Sequence, residues 1–226
     1  EGGKKEISNI INDNYLSEKV IVIYMGVSIP ETKEIQGKKD DIFTIICPAN
    51  LLPVKGHRYL IEACKILADR GLQFRCLIAG DGPLENELKS LVKSFKLESY
   101  VKFLGRLKHE RLIGMYENGE VDGIVLPSII TQDGEKEGIP VALMEAMAHG
   151  IPVISTNTGG IPELLRDAGI VIHEKDSNAI ARAIEVLMND SSFYKELQKL
   201  GKNKIKREFN LSINVSLLLE KIKGGK

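Results

Sequence analysis

A chain of 226 residues and 25.0 kDa is long enough to bury a sizeable core, as one large domain or two small ones. Hydrophobic residues make up 43% and charged residues 27%, near the averages for globular proteins, which excludes a disordered, collagen-like or disulfide-scaffold chain. The 31 Lys and Arg cancel the 31 Asp and Glu, so no net field favours an anionic membrane, DNA or RNA, and no nucleic-acid partner is expected.

In chain order, residues 1–19 are rich in Lys, Asn and Glu and read as a linker or the edge of a missing amino-terminal domain. The start at Glu1 rather than at Met suggests a fragment. Short β-branched runs bounded by Gly, Pro or Asp then predict strands over 21–24, 42–47, 75–79, 101–104, 123–126, 153–155 and 170–172. Between them, apolar residues at three- and four-residue spacing predict helices over 57–69, 84–95, 109–116, 140–149, 161–166 and 178–187. Such alternation implies right-handed βαβ crossovers. The expected fold is α/β: a Rossmann-like parallel sheet over residues 20–190, helices on both faces, ligands at the carboxyl ends of the strands. Residues 191–226 change pattern to two consecutive helical stretches, 193–209 and 213–223, expected to pack outside the sheet. The lysines of 202–207 fit a solvated helix face better than an anion site.

Cys47, Cys64 and Cys76 are odd in number and set among apolar neighbours, as expected of reduced core thiols in a cytoplasmic protein. No apolar stretch approaches the roughly 20 residues that span a bilayer. His57, His109, His149 and His173 are scattered without metal-ligand spacing, so no metal site is expected and none stands out as a general base.

The stretch richest in chemistry is Glu137-Gly-Ile-Pro-Val-Ala-Leu-Met-Glu145, which reads as a loop entering a helix. Pro140 suits the first helical turn, and Gly150 suits a left-handed stop before the next strand. The amides of Ile139, Val141 and Ala142 at that helix start, with the positive end of the dipole, make an anion or phosphate site. Carboxylates beside such a site fit hydroxyl donors better than phosphate. Spacing alone therefore leaves two readings of Glu137 and Glu145 open: contacts to sugar or ribose hydroxyls, or members of a polar loop and a helix surface. Gly80-Asp81-Gly82-Pro83 reads as a turn with one wall facing the ligand. Gly159-Gly160 reads either as an anion cradle or as a tight strand-to-helix turn.

Together these segments resemble glycosyltransferase family 4. The resemblance is carried by Glu137-x7-Glu145, by Asn157-Thr-Gly-Gly-Ile-Pro-Glu-Leu-Leu165, by Pro53-Val-Lys-Gly-His57, by Ile78-Ala-Gly-Asp-Gly-Pro83 and by Val101-Lys-Phe-Leu-Gly105. It covers about residues 20–190 and implies the carboxyl-terminal, donor-binding half of the two-domain glycosyltransferase-B architecture. The implied reaction is retaining transfer of a sugar from a nucleotide diphosphate sugar to an acceptor hydroxyl, usually without a metal, as in polysaccharide biosynthesis. Carried over residue by residue, Lys55 stabilises the departing diphosphate and Glu137 meets the donor sugar near the reacting carbon. Gly138, Ile139, Pro140 and Val141 cradle phosphate and sugar, and Glu145 binds the ribose. Gly80 borders the ligand, while Gly105, Arg106 and Leu107 frame a base, of which uracil suits backbone reading. One position departs from the pattern: the usual Gly-Arg-Leu reads Ala49-Asn50-Leu51, so Asn50 brings a neutral hydrogen bond in place of a charge, with Arg106 as partial compensation.

Two other readings compete with a glycosyltransferase. One is a nucleotide-sugar epimerase of the same architecture; the other is a non-catalytic nucleotide-sugar-binding module, suggested by Asn50. On the leading reading the partners are the nucleotide-sugar donor and the missing acceptor-binding domain, through which peripheral membrane contact stays open. This chain alone is expected to be inactive in transfer.

Overall fold

In the computed structural model, residues 20–30 and 42–224 are described, so the expected linker at 1–19 lies outside the described residues. Aliphatic runs form six strands: β1 (Phe43–Pro48), β2 (Phe74–Ala79), β3 (Val101–Gly105), β4 (Gly123–Leu126), β5 (Val153–Thr156) and β6 (Ile170–Ile172). They make one sheet in the order β3-β2-β1-β4-β5-β6, every pair parallel. The central strands are covered on both faces, which is why β1, β4 and β5 are buried almost end to end rather than at alternate residues.

The covering helices are α1 (His57–Asp69), α2 (Glu85–Ser94), α3 (His109–Glu117), α4 (Val141–Ala148), α5 (Ile161–Leu165) and α6 (Ser177–Asn189), followed by α7 (Ser191–Glu208) and α8 (Leu211–Gly224). Asp190 starts α7 by accepting from the amides of Ser192 and Phe193, two of the donors that the first turn leaves free. Helix α7 packs on α4: Leu197, Gly201 and Ile205 are buried, and Gln198 donates to the Gly150 carbonyl at 2.9 Å. In the 202–207 segment, Lys204 pairs with Glu208 one turn on, and Arg207 with the same carboxylate. Among the described residues no helix is long and apolar enough to cross a membrane.

The strand expected at 21–24 does not form. Ile21 and Val22 are exposed, and the segment pairs with no strand of the sheet; β-branched residues favour a strand only where a neighbour completes the ladder. Instead Val27 makes a single parallel bridge to Asn210, and the Tyr24 ring lies 4.8 Å from that of Phe209. All three thiols are free and buried, as core residues of β1, α1 and β2.

The sheet order reverses between β1 and β4, because the chain runs outward to β3 and then crosses back to the other side of β1. At that point the loops after β1 and β4 diverge to opposite faces and leave a crevice at the carboxyl ends of the strands.

Candidate functional site

Two loops bound the crevice, and glycines set their approach. After β1, the Ala49 and Leu51 amides donate to the carbonyls of Ala79 and Asp81, at 3.0 and 2.8 Å, which ties the loop to the end of β2. A short 3-10 turn, Pro53–Lys55, then leads into Gly56 at φ +65°. A Cβ at Gly56 would stand 2.0 Å from the Pro127 carbonyl oxygen, so only glycine lets this turn press against the loop after β4. The contact continues through the Ile129 amide, which donates to the Val54 carbonyl at 2.9 Å. From the other side, Gly159 at φ +55° lies so near Glu137 that a Cβ would stand 1.7 Å from its carbonyl oxygen. Gly160 donates to the carbonyls of Glu137 and Gly138 at 3.3 and 3.2 Å. The Gly159-Gly160 turn thus supports the backbone of Glu137, which decides between its two readings in favour of the tight turn.

These clamps bring Lys55 and Glu137 together across the switch point as an ion pair, with 22% and 12% of their side chains exposed. The contact is electrostatic rather than an aligned hydrogen bond. Helix α4 starts beside it. Pro140 has extended backbone and caps the helix, so the first helical residue is Val141 rather than the expected Pro140. The proline carbonyl accepts from Leu143 and Met144, at 3.1 and 3.4 Å, which leaves the amides of Val141 and Ala142 without intrahelical acceptors. A lysine and a helix N-terminus at one crevice fit an anionic group, while the Glu137 carboxylate fits hydroxyl donors.

Glu145 lies one turn into α4, about 6 Å along the axis from Val141. Its Oε1 stands 2.7 Å from Nε2 of His109, the first residue of α3. The pair borders a hollow of about 400 Å³ between α3, α4 and residues 26–30. Larger hollows of about 450 and 560 Å³ beside α6 contain none of these residues. The hollow beside Glu145 lies against the helix that starts after β4, and ligands of open α/β sheets bind towards the carboxyl ends of the strands.

The other expected site residues lie around the rim. The Gly80 amide donates to the Gly105 carbonyl at 2.8 Å, and a Cβ at Gly80 would stand 2.1 Å from the Ala49 carbonyl oxygen, so this turn closes the ends of β1, β2 and β3. Leu107 is half-buried after β3, whereas Arg106 is exposed. Strand β3 is two places from β1, about 10 Å, so Arg106 starts well away from the Lys55–Glu137 pair. Asn50 is exposed on the β1 loop. Gly138 is exposed and Ile139 half-buried at the entrance to α4.

His57 is 1% exposed, and its pKa is lowered to about 4, first by burial and then by the charge of Lys55. It is neutral at pH 7 and sealed from any ligand. Among the described residues no group of three or more His, Cys, Asp or Glu is gathered as a metal site. Sequence reasoning missed His109. Its one cue is its position at the start of the helix after β3, and nothing local in the sequence sets that helix beside α4.

The chain is 36% identical over 200 residues to the putative colanic acid biosynthesis glycosyltransferase WcaL of Escherichia coli, covering 87% of this chain and 49% of WcaL. The chain spans about half the length of the curated relatives it matches. A glycosyltransferase from Rickettsia africae shares the fold with a TM-score of 0.79 at 23% identity, over 96% of this chain and 61% of that one. Anabaena HepE in complex with UDP-glucose does so with a TM-score of 0.70 at 21% identity, over 81% of this chain and 49% of that one. These likenesses identify the parallel sheet as one Rossmann-like half of the glycosyltransferase-B fold. Residues 28–207 match the family described as glycosyl transferases group 1, and with that match spanning most of the sheet and helices, the chain belongs to the group 1 glycosyl transferases.

Proposed function

We propose that this chain is the donor-binding half of a retaining glycosyltransferase, and that it holds a nucleotide diphosphate sugar, UDP-sugar by preference, in the crevice between the loops after β1 and β4. The observation that carries the reading is the Lys55–Glu137 pair at the switch point, beside the free amides of α4. Those two side chains form an ion pair in the unliganded chain. A bound donor exchanges their partners: the diphosphate takes Lys55 and the α4 amides, and sugar hydroxyls donate to Glu137. Glu145 then accepts from the ribose, and the Gly105–Leu107 segment borders the base. HepE shares the fold and was crystallised with UDP-glucose, which supports a donor of this class.

In the transfer step, the bond from the anomeric carbon to the diphosphate oxygen breaks with its electron pair, and a bond to the acceptor oxygen forms on the same face. The acceptor proton ends on the released diphosphate. Negative charge grows on the leaving oxygen, so Lys55 and the helix start bind the transition state more tightly than the ground state, which is what raises a rate. On this reading the cation and the helix dipole supply the charge without a metal. The acceptor, a glycan or other hydroxyl compound, is held by a companion domain corresponding to the half of the relatives that this chain does not span. The whole protein works in polysaccharide assembly, on the cytoplasmic side where nucleotide sugars are made.

Calorimetric titration with uridine, guanosine and adenosine diphosphates, with and without magnesium, tests the reading. Selective, magnesium-independent binding of the uridine compound supports it. Binding of none of the three, by a chain shown to be folded, refutes it. A second reading, a donor-binding module without catalysis, draws on Asn50, which brings no charge to the diphosphate side. Sugar transfer by the chain joined to its companion domain separates the two: the module reading allows donor binding without turnover, and Asn50→Arg would then raise diphosphate affinity without creating turnover.

A further inference from the structure

One hollow between α3 and α4 is lined by residues one turn apart: His109, Ile113 and Glu117 from the first, Val141, Glu145 and the C-capping His149 from the second. The Glu145 side chain is 17% exposed and that of His109 is 62% exposed, so an exposed imidazole reaches over a largely buried carboxylate. A carboxylate so placed needs donors, and Nε2 of His109 at 2.7 Å supplies one to Oε1. An ionised carboxylate only accepts, so the contact requires the proton of His109 on Nε2. His149, on the same hollow, serves differently: its Nδ1 stands 2.7 Å from the backbone carbonyl of Glu145, in its own helix. With Oε1 engaged by His109, Oε2 keeps its acceptor capacity for a further donor.

Resting on the reading that Glu145 takes the ribose, we propose that His109 is a positioning residue for the nucleoside: it orients Glu145 so that Oε2 accepts from a ribose hydroxyl. His109 touches the carboxylate and not the reacting atoms. Its contribution is preorganisation, since a carboxylate already held in one rotamer loses less freedom when the diol arrives.

Calorimetry compares UDP with its 2′,3′-dideoxy analogue. His109→Ala is expected to weaken UDP about three- to tenfold, the worth of one immobilised side chain, and to leave the dideoxy analogue unchanged. His109→Gln, whose amide donates from a similar distance, keeps most of the UDP affinity. In the Glu145→Gln background, His109→Ala adds no further loss. Equal weakening of both ligands, full additivity of the two substitutions, or unchanged UDP binding in His109→Ala beside a clear loss in Glu145→Gln overturns the positioning role alone. Unchanged UDP binding in Glu145→Gln, or no UDP binding by the unaltered chain, overturns the ribose reading and this proposal with it.

Discussion

The Lys55–Glu137 pair makes a prediction that joins stability to binding. Replacing Lys55 by Met leaves a carboxylate with 12% of its side chain exposed and its ion-pair partner gone. Breaking a buried pair from one side costs about 3–5 kcal/mol, and the partial exposure of Lys55 argues for about 3 kcal/mol or slightly less. For a chain of this size each kcal/mol moves the melting temperature by about 2–4 °C, so Lys55→Met should melt about 6–12 °C lower. Removing both charges together, as Lys55→Met with Glu137→Leu, should recover most of that loss, because a desolvated pair gains little over apolar side chains of similar size. Binding should separate the two residues. Lys55→Met removes a charged donor to the diphosphate, worth about 1.5–3 kcal/mol, and should weaken UDP by about ten- to a hundredfold. Glu137→Gln removes the resident competitor for Lys55, so UDP affinity should hold or rise while affinity for UDP-glucose falls. Scanning calorimetry and nucleotide titration on the four proteins decide the matter. If Glu137→Gln weakens UDP as much as Lys55→Met does, the partner exchange is wrong; if neither single substitution lowers the melting temperature, the pair is not the structural unit described.

Three further outcomes follow from other residues. The lowered pKa of His57 means that below pH 6.5 the unfolded chain binds a proton the folded chain refuses, so stability is complete above pH 6.5 and should fall by about 3 kcal/mol towards pH 4; urea titrations should show that part of the slope vanish in His57→Gln. Burial raises the pKa of Cys47, and the hydrogen bond that the Cys76 thiol donates to Cys64, followed by burial, raises that of Cys76, so neither should react with a thiol reagent in the native chain, while all three cysteines react in guanidinium. Gly159→Ala should displace the Glu137 backbone and abolish UDP-glucose binding, whereas Gly105→Ala, whose Cβ meets nothing within 4 Å, should cost only the roughly 1–2 kcal/mol of a left-handed alanine; circular dichroism melts and titration of both variants check the contrast.

Much of this fold is written in local patterns. The runs at 123–126 and 170–172 match β4 and β6 residue for residue, and the predicted helix at 57–69 matches α1, because short β-branched runs between turn residues and an amphipathic helical period are both local signals. The run at 21–24 misled for the same reason that the others succeeded: β-branched composition reports propensity, and pairing depends on an edge that only the tertiary fold provides. Helix boundaries shifted by a residue or two where capping, not periodicity, decides, as at Pro140. The candidate site divided in the same way. Lys55, Glu137 and Glu145 stand out once their motifs are aligned, since each follows a strand end. His109 has no such mark, because its contact with Glu145 joins two elements that no sequence period connects.

The glycines explain why that alignment becomes chemistry. A lysine after one strand and a glutamate after another meet only if both loops lean inward over the switch point, and side chains larger than hydrogen forbid this at two places. Gly56 brings the Lys55 turn against the Pro127 carbonyl, and Gly159 brings the next turn against the Glu137 carbonyl from the far side. Both have positive φ, so each glycine serves the backbone conformation and the close approach at once. The ion pair between them therefore forms at the junction of three loops whose positions the sheet dictates. A ligand that replaces the pair with diphosphate at Lys55 and hydroxyls at Glu137 needs only the two side chains to move, because the backbone that carries them is already held from both sides.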